Sequence, residues 1–293
     1  MSELGILVSP DWEDYELQDS GDHLKLERYG PYHFVRPEPQ AVWRPSLEVA
    51  HWQAAHGRFQ TNREESGGSW HFNKPVSESW QMGYKSLRFF ARTTAGRHLG
   101  VFPEQAANWD WISERIGSSR RSAKVLNLFG YTGLASLAAA QAGAHVTHVD
   151  ASKKAIAWAR RNQSLSNLED RPVRWIVDDA LKFTQREGRR GARYDGLILD
   201  PPKFGRGPKG EVWEFFKFFP QLLTACRQVL SPEPLFIVIT SYAVRASALS
   251  LYYGLLANIA GFGGKVEAGE LALVERSRGW LISTAIFARW QCW

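Results

Sequence analysis

The chain reads as an α/β protein with a doubly wound, mostly parallel sheet of seven strands, ending in an antiparallel hairpin and preceded by a small β-rich module. Three observations predict this. Residues 1–100 alternate apolar and polar side chains instead of repeating at helical spacing. From Pro103 onward apolar runs of strand length alternate with helical patterns through five βα units, which demands a parallel sheet covered on both faces. The last two apolar segments follow one another with no helix between them, which adds antiparallel strands. The expected division is a module over residues 1–100 and an α/β domain over 101–293.

In the first module, alternation over His23–Tyr29 and Tyr32–Arg36 about Gly30-Pro31 predicts two strands joined by a turn. Prolines 37, 39 and 45 then break the chain, and Arg63 to Ser69 is expected as a polar loop. A further hairpin is expected from Tyr84–Thr93 and Gly96–Phe102. Beyond it, Pro103-Glu104-Gln105 opens a helix that runs to about Ile116, with proline at an early position and an acid in the first turn. Strands are expected at Val125–Phe129, Val146–Val149, Trp175–Val177, Leu197–Leu199, Phe236–Ile239, Val266–Val274 and Leu281–Ala288. Helices are expected at Leu134–Ala142 (closed by Gly143), Lys153–Asn162, Leu181–Glu187, Glu211–Val229 and Ala246–Ile259. Arg186 to Arg193 reads as a solvated basic loop.

Composition excludes several classes. The 293 residues are 44% hydrophobic and 23% charged, which fits an ordinary globular chain rather than a disordered, collagen-like or disulfide-built one. No apolar run approaches the roughly 18 residues of a membrane span, and the N-terminal residues lack the basic and apolar regions of a secretory signal. Cys226 and Cys292 are the only cysteines, and the eight histidines show no ligand spacing, so neither a metal site nor a disulfide framework is expected. His145 and His148 read as sheet residues, and a reducing cytoplasm is the expected setting. Charge is uneven: residues 1–50 hold 4 Lys/Arg against 10 Asp/Glu, whereas residues 51–293 hold 32 against 20. A surplus of twelve positive charges over the larger part attracts phosphate backbones.

Ligands of such sheets bind outside the C-terminal ends of the strands, so the residues there carry the functional reading. The first crossover, Asn127 to Gly133, has glycines only at 130 and 133 and is not the G-x-G-x-x-G of dinucleotide sites. A nicotinamide dehydrogenase is therefore disfavoured. The second strand ends in Asp150, a carboxylate placed to accept ribose hydroxyls, with Ser152 as N-cap of the next helix. The third ends in Asp178-Asp179-Ala180: one carboxylate can accept from an adenine amino group, and the other serves as a turn or cap. The fourth ends in Asp200-Pro201-Pro202-Lys203-Phe204, where two prolines stiffen the turn and hold Asp200 and its neighbouring carbonyls at the crevice mouth. Trp213, Phe216 and Phe219 recur every third residue and read as the packed side of one helix, while Phe204, Arg206 and Lys209 are placed to meet a substrate.

These strings, VLNLFGYTGLAS from Val125, HVDASKKAIAWARRN from His148, VDDALKF from Val177 and LILDPPKFGRG from Leu197, resemble the class I S-adenosylmethionine (SAM)-dependent methyltransferases. The resemblance runs from Gln105 to about Tyr242 and is nearest the group that modifies large-subunit ribosomal RNA. It implies a Rossmann-like fold and SAM as cofactor. It places the cofactor contacts at Gln105, Asn127, Phe129, Gly130, Tyr131, Thr132, Gly133, Asp150, Ala151, Ser152, Asp179, Ala180 and Asp200. It gives Asp200, Pro201, Pro202 and Lys203 to the acceptor, and Phe204, Arg206, Lys209 and Ser241 to the substrate, expected to be ribosomal RNA. Some members methylate cytosine C5 through a cysteine that follows the fifth strand, and another methylates guanine N7. Here that stretch is Ile239-Thr240-Ser241-Tyr242, without a thiol, so attack by a base nitrogen is expected. The N-terminal 100 residues do not resemble the RNA-binding module of some members. A methyltransferase for a small molecule or a protein, and a non-catalytic RNA-binding protein of this fold, are the alternatives.

Overall fold

A computed structural model describes residues 4–62, 67–242 and 244–292, which pack as two compact units. Residues 63–66 of the expected polar loop lie outside the described residues. The smaller unit comprises Val8–Ala106 together with Ala272–Ser283, and the larger holds residues 4–7, Ala107–Leu271 and 284–292. The sequence reading places one divide near residue 100 and does not anticipate the return at 272–283.

Strand β1 (Leu4–Val8) joins the larger sheet. In the smaller unit, β2 (Tyr15–Gly21), β3 (Leu24–Tyr29), β4 (Tyr32–Pro37), β5 (Gly57–Thr61) and β6 (Gly68–Phe72) form one sheet in that order, with the short helix α1 (Val49–Gln53) between β4 and β5. Tyr29 faces Tyr32 across the predicted turn, where Gly30 takes the left-handed conformation at φ 57°. The second hairpin is displaced from its expected position. It pairs β7 (Trp80–Tyr84) with β8 (Leu87–Ala91), and Gly96–Phe102 forms no strand. The tight turn is made at Lys85 (φ 51°), with no glycine or proline to mark it in the sequence.

A charged cluster is buried in this unit. Arg36 grips Glu27 with two hydrogen bonds of 2.7 and 2.8 Å, Tyr15 donates to the same carboxylate at 2.9 Å, and Lys25 lies beside it. Residues 272–283 are stitched in similarly. Ser277 donates to Asp19 at 2.8 Å, and Arg278 donates to the Ser20 carbonyl at 2.8 Å.

The larger unit follows the predicted alternation. In order come α2 (Ala106–Gly117), which a 3₁₀ turn at Pro103–Gln105 precedes, β9 (Lys124–Leu128), α3 (Leu134–Gln141), β10 (His145–Asp150), α4 (Lys153–Leu165), β11 (Val173–Val177), α5 (Ala180–Arg189) and β12 (Gly196–Leu199). Then follow β13 (Phe204–Arg206), β14 (Val212–Glu214), α6 (Phe215–Val229), β15 (Phe236–Ser241), α7 (Ala248–Asn258), β16 (Lys265–Val274) and β17 (Leu281–Gln291). The sheet order is β1-β16-β17-β15-β12-β9-β10-β11, so the expected seven strands are joined by an eighth at the edge. Five strands, β11 to β15 in space, are parallel, and β17 runs antiparallel to β15. Apolar residues cover both faces: Leu126, Leu128, Leu197 and Ile239 pack with α6, and Val125, Ile198 and Val238 with α2 and α3. That is why these strands read as unbroken apolar runs.

The helix expected from Glu211 begins only at Phe215, because Phe204–Arg206 and Val212–Glu214 pair as a hairpin. Trp213 is therefore a buried strand residue, and Phe216, expected in the core, is 63% exposed. Phe219 packs as expected, in a stripe with Phe215, Leu222, Leu223 and Cys226. Arg189, expected in a loop, belongs to α5.

The buried Glu27 cluster sets the acid sensitivity of the smaller unit. Burial alone would raise the Glu27 carboxyl, but Arg36 and Lys25 overcome it and hold it at about 2. A depressed carboxylate stabilises the fold above its unfolded value, and that contribution is lost as pH falls through about 2. Glu27→Gln leaves Arg36 buried and unpaired, and should cost about 3–5 kcal/mol in urea unfolding at pH 7. The difference from wild type should shrink on acidification towards pH 2.

Candidate functional site

The parallel strands of the larger unit end on one edge. Leu128 lies level with Val149 and Leu199, Asp150 with Val177, and Leu199 with Ile239. Phe129, Asp150, Asp178 and Asp200 leave the sheet at or near one level. Backbone bonds knit these exits: Gly130 N donates to Val149 O at 3.1 Å, Asp178 N to Asp150 O at 3.1 Å, and Asp200 N to Leu128 O at 3.3 Å.

The β9 exit is strained. Phe129 and Tyr131 take left-handed φ values of 58° and 50°, and Gly133 follows at 87° as the N-cap of α3. Such values in non-glycine residues cost roughly 1–3 kcal/mol each and persist where the surroundings over-determine them. Three contacts do so here. Phe129 packs on Trp213 at 4.9 Å, Tyr131 lies 6.1 Å from Trp158, and the Asp150 carboxylate accepts Tyr131 N at 2.9 Å. Gly133 permits its φ and a close approach, since a Cβ there would lie 2.8 Å from that of Ala159. Thr132 is buried, and its carbonyl accepts from Asn162 at 2.9 Å. The turn's amides at Gly130, Tyr131 and Gly133 donate within the protein, to Val149 O, the Asp150 carboxylate and Gly130 O.

Asp150 also accepts Ser152 N at 2.8 Å, so each carboxylate oxygen receives one backbone amide and keeps acceptor capacity. Burial raises its carboxyl above the ordinary aspartate value, although both amides pull it down. Beyond Ala151, Ser152 caps α4 by accepting Ala155 N at 3.2 Å, as its sequence position predicts. At the next strand end the two acids divide their work. Asp178 pairs with Arg186 and accepts Asp179 N, while Asp179 caps α5 by accepting Lys182 N at 2.8 Å. Ala180, the first residue of that helix, is buried.

The Asp200-Pro201-Pro202-Lys203 turn is fastened at three carbonyls. Pro201 O accepts Ser241 Oγ at 3.5 Å, Pro202 O accepts Trp213 Nε1 at 2.7 Å, and Lys203 O accepts Phe215 N at 3.0 Å. Carbonyls beside Asp200 are expected to hold an acceptor; each of these receives one protein hydrogen bond and keeps a second acceptor position. Past it, Phe204, Arg206 and Lys209 are exposed on the β13–β14 hairpin, and Glu211 ties its tip by accepting Lys182 Nζ at 3.0 Å and Lys209 N at 2.9 Å.

The edge thus collects Phe129 to Gly133, Asp150 to Ser152, Asp179, Ala180, Asp200 to Phe204, Arg206, Lys209 and Ser241. Gln105 belongs to the other compact unit, and Asn127 points inward, donating to Ser136 Oγ at 2.8 Å. The sequence reading misses Trp213 as the brace of both turns, and His148 and Ser136 as the layer beneath Gly130. Two cavities, of about 710 and 480 Å³, lie elsewhere: the first between β1, α7, β16 and β17, the second at the N-terminal ends of β10 and β11. Neither contains a strand-end acid. Among the described residues no group of three or more His, Cys, Asp or Glu is placed to hold a metal, and no helix is long and apolar enough to cross a membrane.

Residues 32–231 match the family model of S-adenosylmethionine-dependent methyltransferases, more than half of the chain. The chain belongs to this family. A SAM-dependent methyltransferase from Agrobacterium tumefaciens, known from its crystal structure, is 48% identical with a TM-score of 0.94, over 98% of this chain and 93% of that one. Ribosomal RNA large subunit methyltransferase K/L of Desulfotalea psychrophila is 37% identical over 45% of this chain and 18% of its own length. Ribosomal RNA large subunit methyltransferase I of Tolumonas auensis is 31% identical over 53% of this chain and 38% of its own. The chain thus spans well under half the length of these two relatives. As a family member it is an enzyme that uses SAM as methyl donor.

The two thiols of this methyltransferase differ in reactivity. Cys226 is 3% exposed in α6, and burial pushes its thiol up to about 12. Ellman's reagent should therefore titrate no more than one thiol in the native enzyme, Cys292, and both after unfolding. Rapid native labelling of Cys226 would contradict its placement in the core.

Proposed function

We propose that this methyltransferase acts on RNA, ribosomal RNA of the large subunit, at a base nitrogen, by direct in-line transfer without a covalent enzyme intermediate. The observation that carries the reading is the exposed Phe204, Arg206 and Lys209 hairpin continuing directly from the Asp200-Pro201-Pro202 turn. An aromatic face and two cations beside an acceptor turn suit a base and its phosphates. The surplus of positive charge over residues 51–293 and the names of the two bacterial relatives agree with it. A ribosomal substrate accords with a cytoplasmic setting.

In this reading Asp150 accepts the ribose hydroxyls of SAM, the Phe129–Gly133 turn cradles its amino-acid portion, and Asp179 with Ala180 borders the adenine. The strained turn, the glycine at 133 and the remaining acceptor capacity of Asp150 fit such a ligand. When bound, SAM supplies an electrophilic methyl group on a sulfonium. Asp200 accepts a hydrogen bond from the base and orients its nitrogen lone pair, while the two prolines fix the carboxylate in place. Lys203, Arg206 and Lys209 hold the backbone. The base nitrogen would form the new N–C bond with its own lone pair as the methyl–sulfur bond breaks and its electron pair goes to the sulfur, and Asp200 would take the proton of a nitrogen that carries one; no enzyme nucleophile is needed, and the stretch after β15 provides no thiol.

Two measurements check this. Asp150→Ala should weaken SAM binding by about tenfold or more in calorimetry, since two hydrogen bonds to a charged group are lost. Ribose hydroxyls donate to the ionised carboxylate, so affinity should decline as pH falls through the raised Asp150 value and be pH-independent there in Asp150→Asn. Unchanged affinity in Asp150→Ala would remove Asp150 from the cofactor site. For the substrate, log affinity for single-stranded ribosomal RNA fragments should fall linearly with log salt, with a slope of about −0.7 per neutralised phosphate. The double variant Arg206→Ala, Lys209→Ala should flatten that slope by about one unit and leave SAM affinity alone. A flat salt response with every fragment would point to a small-molecule acceptor.

A further inference from the structure

We propose that His148 is a positioning residue of the SAM turn: its ring, set by Ser136, is the floor on which Gly130 rests, and this ring is the reason residue 130 is glycine. The inference rests on the reading that the Phe129–Gly133 turn holds SAM, and it assigns a role within that site to a residue outside the turn.

His148 lies in β10 with no exposed surface. Its Nδ1 is 2.9 Å from Ser136 Oγ on α3, and the same oxygen accepts Asn127 Nδ2 at 2.8 Å from β9. Asn127 supplies one proton to the serine oxygen, so the serine hydroxyl is free to direct its own proton to His148 Nδ1. In either tautomer Nδ1 is engaged by this hydroxyl. Nε2 is buried without a partner among the described residues. Burial also drives the group to its neutral form, with a value of about 3. Trp175 closes the ring from the side at 4.6 Å. An imidazole with an unmet ring nitrogen is therefore kept where an aliphatic side chain would bury at no polar cost.

Gly130 explains what the ring does. A Cβ at this position would lie 2.3 Å from His148 Cε1, 2.5 Å from Nδ1 and 2.9 Å from Nε2. Unlike Gly133 and Gly143, Gly130 does not take a left-handed φ. Its backbone would admit alanine, and what bars a side chain is the imidazole beneath. The turn thus sits at the height the ring sets, between two residues, Phe129 and Tyr131, that are themselves strained. Through Ser136 and Asn127 that height is referred to α3 and β9, the elements on either side of the turn.

The test is a double-mutant cycle on the full chain, with SAM as ligand: wild type, Gly130→Ala, His148→Ala and the double variant, each measured by calorimetry and thermal unfolding. Gly130→Ala should lose about tenfold or more in SAM affinity, as the turn is lifted off the ring. His148→Ala removes all three clashing atoms, so the double variant should regain most of that loss. In methyl transfer the KM for SAM should follow the same pattern and move more than kcat. A histidine that serves only stability would lower the unfolding temperature and leave SAM affinity unmoved, and the two substitutions would add instead of compensating. Should His148→Ala unfold, His148→Ser enters the cycle with the same expected compensation. Wild-type protein that fails to bind SAM overturns the cofactor reading beneath the inference. Wild-type binding together with full affinity in Gly130→Ala, or with no recovery in the double variant, overturns the inference alone.

Discussion

The carboxylate of Asp150 accepts the amides of Tyr131 and Ser152, so one side chain at the end of β10 ties the first crossover of the sheet to the second. Much of the site depends on that bridge. Tyr131 and Phe129 are held in a conformation that costs free energy locally, and without the carboxylate the Tyr131 amide would lose its partner. The same group is desolvated enough for its carboxyl to be raised, so it is primed to gain from further donors. Support of the turn and recognition of ribose hydroxyls are compatible, because each oxygen uses one acceptor position on the backbone.

The Asp200-Pro201-Pro202-Lys203 turn is built by a different device. Proline at 201 and 202 removes backbone freedom, and bonds from Ser241, Trp213 and Phe215 fix the carbonyls that follow. Trp213 serves both halves, since its indole N–H anchors Pro202 while its ring packs on Phe129. A movement of the Pro201-Pro202 turn would therefore be felt at the Phe129–Gly133 turn. The hairpin beyond adds exposed cationic and aromatic groups without disturbing the packed residues behind it.

Much of this was legible in the sequence because the α/β pattern is local. Apolar runs of strand length end in Asp150, Asp178 and Asp200, and parallel order alone brings such ends to one edge. Ser152 and Gly143 mark helix ends through their own backbone chemistry. What escaped reading depends on contacts distant along the chain. The three-residue spacing of Trp213, Phe216 and Phe219 imitates a helix face, yet Trp213 belongs to a hairpin whose partner strand starts at Phe204. The turn at Lys85 carries no glycine or proline, so the second hairpin was placed too late. Residues 272–283 enter the smaller unit through Ser277 and Arg278, which donate to Asp19 and the Ser20 carbonyl, contacts invisible to local pattern. The layer of Asn127, Ser136 and His148 under Gly130 is assembled from β9, α3 and β10 and has no signature in any one of them.

The central claim is that this strand edge moves a methyl group from SAM to a base of large-subunit ribosomal RNA. Mass spectrometry of nucleosides from that RNA, in cells with and without the protein, tests it most directly. The account predicts one base methylated on nitrogen that is missing without the protein, restored by the wild-type chain and not by Asp150→Ala. Identical nucleoside profiles in the two cell lines, or a missing mark on a base carbon, would contradict it.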